Sequence, residues 1–282
     1  MVGAIRRVRV GHSPDPDDAF MFYGIASGEV PTEPYEIEQV LEDIESLNRR
    51  CLAAELEVSA VSIHAYPHLA ERYALMPCGA SMGDGYGPCV VARHRMTRAG
   101  LAGATVAVPG KLTSAYLALR LYLGADFPHV VVPFDRILET VVAGQADAGL
   151  IIHEGQLTYD RHDLVLLVDL GAWWAERSGG LPLPLGGNVV RKDLGAASMG
   201  RLTGILRQSI EYGLAHRRAA LDYAMPFGRG LDRTLADHFV GMYVNDLTRD
   251  YGERGRRAIE RFLDEGRAAG LVPFGARLEF AG

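Results

Sequence analysis

Between Ala104 and Ile152 the chain alternates short apolar runs with helix-patterned segments, and this alternation is its tightest constraint on fold. Ala104 to Val108 reads as a strand, Ser114 to Leu123 as a helix, and Val130 to Val132 as a strand. Ile137 to Ala143 follows as a helix closed by Gly144, and Ala148 to Ile152 as a buried strand. The β-α-β-α-β order predicts parallel strands, because parallel neighbours need a crossover and a helix supplies it. In such sheets ligands sit beyond the carboxyl ends of the strands. The residues just after each strand are therefore the first candidates for chemistry.

The remainder predicts a second α/β body. Arg7 to Gly11 alternates as a strand, Ser13 to Asp18 (SPDPDD) is a turn, and Ala19 to Ser27 reads as a helix. Tyr35 to Val40 and Val58 to Ile63 read as strands, with an amphipathic helix from Leu41 to Ala54 between them. His64 to Tyr73 reads as a further helix. The character changes near Arg93 to Gly103, and LPLPLGG at Leu181 to Gly187 marks a return. Helical spacing then dominates: Leu202 to Ala215, Thr234 to Asn245 and Gly255 to Ala269. The expected division is a larger α/β lobe of residues 1–94 plus 186–282, carrying the C-terminal helices, and a smaller α/β lobe of residues 95–185. Two crossings between two lobes imply a central hinged cleft, a usual place for a small ligand.

Charge and cysteine usage exclude several classes. A net charge of −6 offers no basic face for a nucleic acid. Three cysteines without a CxxC spacing fit a reducing compartment and free thiols, with Cys89 read as a small core residue. The N-terminus carries no apolar run of signal-peptide type. No stretch approaches the ~18 apolar residues of a membrane span. The cytoplasm is the default address, and association as a homodimer stays open. The glycine-rich CGASMGDGYGP (Cys78 to Pro88) precedes a strand, CVVAR, where a dinucleotide loop needs a helix. It predicts a mobile loop or lid. His64 and His68 have helical i, i+4 spacing, but no third ligand and no HExxH glutamate accompany them. They read as surface-helix residues, and no metal site is predicted.

Four strand ends carry hydroxyl or imidazole groups: Ser13, Ser62, the pair Thr113 and Ser114, and His153. A helix N-terminus after such a residue suits a carboxylate or phosphate. Each serine or threonine taken alone is more often a helix cap. Gathered at one site with a histidine, they indicate an anionic organic substrate. His153 ends the strand at Ala148, and its ordinary pKa near ~6.5 suits proton transfer, so it reads as the catalytic base. Glu154, as the next residue on a strand, is expected to face away from it. Asp15, Asp17 and Asp18 read as turn and cap residues before paired acids, and Trp173–Trp174 either as a wall of the cleft or as core or interlobe packing.

Six segments together carry a resemblance: SPDPDDAFMFYG from Ser13, LEDIESLNR from Leu41, VSAVS from Val58, VAVPGKLTSAYL from Val106, AGLIIHEGQLTY from Ala148 and DLGAWW…LPLPLGG from Asp169. In this order they resemble the 1,4-dihydroxy-6-naphthoate synthase family of the futalosine route to menaquinone, from about residue 8 to about 250. The resemblance implies an α/β, two-lobed type II periplasmic-binding-protein-like fold used as an enzyme. It implies a carbon–carbon lyase that converts cyclic dehypoxanthine futalosine, a small anionic aromatic substrate, to 1,4-dihydroxy-6-naphthoate and dihydroxyacetone. It carries over His153 as proton acceptor, and Ala60, Val61, Ser62, Thr113 and Ser114 as substrate-binding positions. It implies no metal and no organic cofactor. Two other readings share the fold: a binding protein for a small aromatic carboxylate, and the related chorismate dehydratase. The family's first turn reads SPCPND. Here Asp15 and Asp17 replace the cysteine and asparagine, so two added carboxylates must be paired or turned away from an anion.

Overall fold

The computed structural model describes residues 6–124 and 126–281. The chain first forms β1 (Arg6–His12), α1 (Pro16–Ala26), β2 (Tyr35–Leu41), α2 (Ile44–Leu52), β3 (Val58–Ser62), α3 (Tyr66–Leu69) and β4 (Tyr73–Leu75). It continues with β5 (Ser81–Gly83), β6 (Cys89–Ala92), α4 (Arg98–Gly103), β7 (Val106–Val108), α5 (Ser114–Leu123), β8 (His129–Val131), α6 (Ile137–Val142), β9 (Ala148–Ile151), β10 (Val165–Asp169) and α7 (Leu170–Ser178). It ends with β11 (Leu183–Arg191) and the helices α8 (Ala196–Ala215), α9 (Arg217–Ala224), α10 (Arg233–Tyr243), α11 (Asp246–Arg249) and α12 (Gly252–Ala268).

These elements make two units. The first runs to Ser81, from Gly186 to Gly252 and again from Gly275. Its sheet has the order β2-β1-β3-β11-β4. β1 is parallel to β2 and β3, and β11 is antiparallel to β3 and β4. All five residues of β3 are buried, as a strand flanked on both sides must be. α1 is apolar nearly all round, with Ala19, Phe20, Met21 and Phe22 buried. It packs on α8, α9 and α10 and forms the middle of this unit's core.

The second unit comprises Met82–Leu185 and Glu253–Phe274. Its sheet has the order β10-β6-β9-β7-β8. The predicted parallel block is present at β8, β7 and β9. Beside it β6 runs antiparallel to both β9 and β10, so the fold is mixed α/β. The division differs from the sequence reading, which kept residues up to 94 and everything after 186 in the first lobe. β6 is drawn into the second unit by its ladders. α12 follows because Ala258, Ile259, Phe262, Leu263 and Gly266 are buried along one side. Phe262 meets Trp174 edge to face, centroids 5.3 Å apart, and the Trp174 indole N–H donates to the Pro182 carbonyl at 3.1 Å.

Two predicted elements change. The helix expected over His64 to Tyr73 is only Tyr66–Leu69, because Tyr73 to Leu75 are taken into β4 by β11. His64 is accordingly buried rather than on a helix surface. The glycine-rich segment is a packed turn, not a lid. A Cβ on Gly83 or Gly171 would run into the Tyr86 carbonyl. Asp84 accepts from both Arg254 amino groups at 2.7 and 2.6 Å. Among the described residues no helix is long and apolar enough to cross a membrane.

Candidate active site

The parallel strands bring the predicted residues together in two sets, one in each unit. In the second unit β7 and β9 are neighbours in register, Val106 beside Ala148. Their carboxyl ends therefore lie side by side, leading to Thr113–Ser114 after one and His153 after the other. In the first unit β1 and β3 are likewise parallel, Gly11 beside Ser59, so Ser13 and Ser62 share one sheet edge.

His153 is buried, 4% exposed, and is not part of the strand. β9 stops at Ile151, and His153 caps a short 3₁₀ turn, Glu154–Leu157. Its Nδ1 accepts the Gly155 N–H at 3.0 Å, as an Asx side chain accepts two residues ahead. The Phe134 ring stands edge-on to the imidazole at 5.6 Å. Nε2 is buried without a hydrogen-bond partner among the described residues. The turn also changes the expectation for Glu154. Its Oε2 lies 3.6 Å from His153 Nδ1, because strand alternation has already ended at this point.

Thr113 is the N-cap of α5. Its Oγ1 accepts from Tyr116 N–H at 3.2 Å and donates to the Gly110 carbonyl at 2.8 Å. Ser114 donates its hydroxyl to the Leu185 carbonyl at 2.5 Å. The capping role weighed from sequence is thus the one the Tyr116 bond serves. Their helix points its positive end at the same sheet edge as His153.

In the first unit Ser62 is gripped by a residue that sequence reasoning had not singled out. Asn48, fully buried on α2, donates Nδ2–H to Ser62 Oγ at 3.0 Å and accepts the Ser62 N–H at 2.8 Å. Asn48 lies in the LNR that ends the second segment, where nothing local marks it as a partner of Ser62. Ala60 and Val61 lie inside β3, paired with Asn188 and Gly187 of β11, and the Val61 side chain is wholly buried. Ser13 donates its N–H to Asp18 at 2.7 Å and its hydroxyl to Asp15 at 2.6 Å. Asp15 is itself paired with Arg229 at 2.9 Å. Asp17 and Asp18 are each 8% exposed at the start of α1. Burial, then the charge of Asp15, pushes Asp17 up to about 7. Burial and the charge of Asp17 hold Asp18 well above the usual carboxylate range. The added carboxylates of SPDPDD are therefore disposed of differently: Asp15 by an arginine, Asp17 by burial that favours its neutral form.

His12 was overlooked as well. It stacks on Phe22 at 4.4 Å, and its nitrogens lie 3.0 Å from the Ser13 carbonyl and from Gln39. Burial lowers its pKa, so it is neutral at pH 7. The cysteines are free and buried, and burial pushes the Cys89 thiol up to about 12, which makes it a poor nucleophile. Among the described residues no group of three or more His, Cys, Asp or Glu side chains is placed to hold a metal ion.

The menaquinone biosynthesis family matches residues 8–268, nearly the whole chain. The chain belongs to this family. A relative from Thermus thermophilus named 1,4-dihydroxy-6-naphtoate synthase is 45% identical, over 94% of this chain and 96% of its own. A second of the same name, from Streptomyces coelicolor, is 38% identical over 94% and 95%. The fold is that of periplasmic binding proteins: a Candida albicans protein described as having that generic fold superposes with a TM-score of 0.68. It is 13% identical and covers 95% of this chain and 92% of its own. In this chain the IIHE histidine stands just past the end of a buried strand, β9.

Proposed function

We propose that this protein is a 1,4-dihydroxy-6-naphthoate synthase, a carbon–carbon lyase acting on cyclic dehypoxanthine futalosine. The products of this reading are 1,4-dihydroxy-6-naphthoate and dihydroxyacetone. The observation that carries it is His153: a buried imidazole at the carboxyl end of β9, its Nε2 with no protein partner among the described residues. A buried polar atom without a partner costs about 1–3 kcal/mol, and a substrate oxygen would remove that cost. The identity to two named synthases supports the same reading.

The chemistry is a ring opening followed by a retro-aldol-type cleavage that releases a three-carbon fragment. Aromatisation of the remaining rings drives it. Negative charge develops on oxygen during the cleavage, and donors fixed in advance stabilise it. In this reading His153 faces the reacting oxygen. The N-terminal turn of α5, with Thr113 and Ser114, holds the substrate carboxylate. The reaction moves no electrons to or from an outside partner, so the reading calls for no redox cofactor, and it places the enzyme in the cytoplasm.

The test is turnover of cyclic dehypoxanthine futalosine by the purified protein, with mass detection of the naphthoate. Wild type is expected to form product, and His153→Ala to lose about 10²–10³-fold in kcat. Binding of the compound without product would replace the enzyme reading with that of a carboxylate-binding protein.

A further inference from the structure

His153 Nδ1 has two unlike neighbours. The Gly155 N–H donates to it at 3.0 Å, and Glu154 Oε2 stands 3.6 Å away. The histidine and glutamate side chains are each 5% exposed. The turn fixes their backbone: Gln156 N–H donates to the His153 carbonyl at 2.9 Å, and Thr158 N–H to the Gly155 carbonyl at 3.2 Å. The other ring nitrogen, Nε2, is buried without a partner among the described residues. A neutral imidazole carries one proton, so a ring that accepts from Gly155 through Nδ1 has that proton on Nε2. A base needs the reverse, a bare Nε2 and a hydrogen on Nδ1. The Gly155 N–H cannot accept that hydrogen, whereas a carboxylate can. Residue 155 also carries no Cβ. One would lie 2.7 Å from His153 Cε1 and 3.2 Å from Nδ1, and would bar the ring from turning.

We propose that Glu154 is the positioning residue of the base: its carboxylate accepts a hydrogen bond from Nδ1–H and so leaves the Nε2 lone pair for the substrate. This rests on the reaction proposed above and explains how its histidine becomes competent. Turning the ring from Gly155 to Glu154 exchanges a neutral hydrogen bond for a charge-assisted one, which is roughly twice as strong. At 3.6 Å the pair is still open, and catalytic hydrogen bonds tighten when substrate binds. In the cleavage Nε2 takes a hydroxyl proton of the substrate. The O–H bond breaks, the oxygen's electrons form a carbonyl, and the broken carbon–carbon bond leaves its pair on the other fragment as an enolate. The imidazolium then returns the proton from Nε2 to that enolate, so the ring ends as it began. Throughout, Nδ1–H stays hydrogen-bonded to Glu154, whose charge offsets that of the imidazolium while it lasts. No bond to Glu154 is made or broken.

Long-range ¹H–¹⁵N correlation on the wild-type protein, labelled at histidine and assigned with His153→Ala, reads the tautomer directly and needs no substrate. Nδ1–H is expected to be populated in wild type and to fall about tenfold in Glu154→Gln, which keeps the side chain's size and removes its charge. A wild-type ring with Nδ1 always bare overturns the proposal and needs no variant of Glu154 to fold. A population unchanged by the substitution overturns it as well. The second arm is a double-mutant cycle in turnover. Glu154→Gln is expected to lower kcat about 10–10²-fold with KM held within about twofold, part of the 10²–10⁴-fold that a placed base supplies. In the His153→Ala background the same substitution is expected to change kcat by less than about twofold, because residues that act as one unit are not additive. Equal losses in the two backgrounds would make Glu154 a support of the fold alone and overturn the positioning role. Absence of turnover by wild type would defeat the reaction reading, and the tautomer comparison would then decide the role of Glu154 by itself.

Discussion

Asp17 stands where the family motif carries an asparagine, and its neutral form offers one of the asparagine's donors. Burial and the neighbouring Asp15 raise it from its ordinary 3.8 to about 7. The native state therefore keeps a proton that the unfolded chain has released. The stability this gives is complete below about pH 4 and is lost as pH rises through about 7. Asp17→Asn removes the titration, and it also relieves Asp18 of a like charge. The variant is expected to melt higher than wild type at about pH 8, the gap narrowing toward about pH 5, with roughly 2–4 °C for each kcal/mol in a chain of this size. Equal gaps at both pH values would show that Asp17 is ionised throughout. Some single-residue features of this site were legible in the chain and others were not. His153 could be picked out because a histidine after a buried apolar run is conspicuous. Asn48 could not, since its partner Ser62 is fourteen residues away and meets it only once α2 lies on β3. Glu154 was misjudged because nothing local marks the residue at which alternation stops.

Helices and strands with strong local signals emerged where their patterns put them. α5 spans Ser114–Leu123, as the spacing and its Thr-Ser start predict, and Gly124 ends it in the left-handed conformation at φ 74°. Elements decided by distant pairing did not. α3 is cut short by the ladder between Tyr73 and Arg191, a partner more than a hundred residues on. α12 reads as amphipathic from its own sequence, but only the fold shows which body covers its apolar side. The test of that packing is Phe262→Ala. Phe262 is fully buried against Trp174. The truncation is expected to cost about 3–5 kcal/mol in equilibrium denaturation followed by tryptophan fluorescence. A loss under about 1 kcal/mol would mean that the helix is not anchored there.

Across the whole molecule, each unit is assembled from separated stretches of chain. The second unit draws on Met82–Leu185 and then on Glu253–Phe274. Residues 82–185 expressed alone would lack α12 and leave Trp174 uncovered. That fragment is expected to show red-shifted tryptophan emission and no cooperative melt. A blue-shifted, cooperative fragment would show that α12 is dispensable. The first unit is likewise closed by its last residues: Glu279 and Ala281 bond to Leu75 through N–H···O contacts of 2.8 and 2.7 Å. Biosynthesis inherits a timing rule from this interleaving. Domains usually fold one after another as they leave the ribosome. Here the N-terminal unit starts first yet is completed last, and the other waits for residue 274. A chain stopped early therefore yields no finished half, so truncated products carry exposed apolar surface into the cell's quality control and not a partly working enzyme.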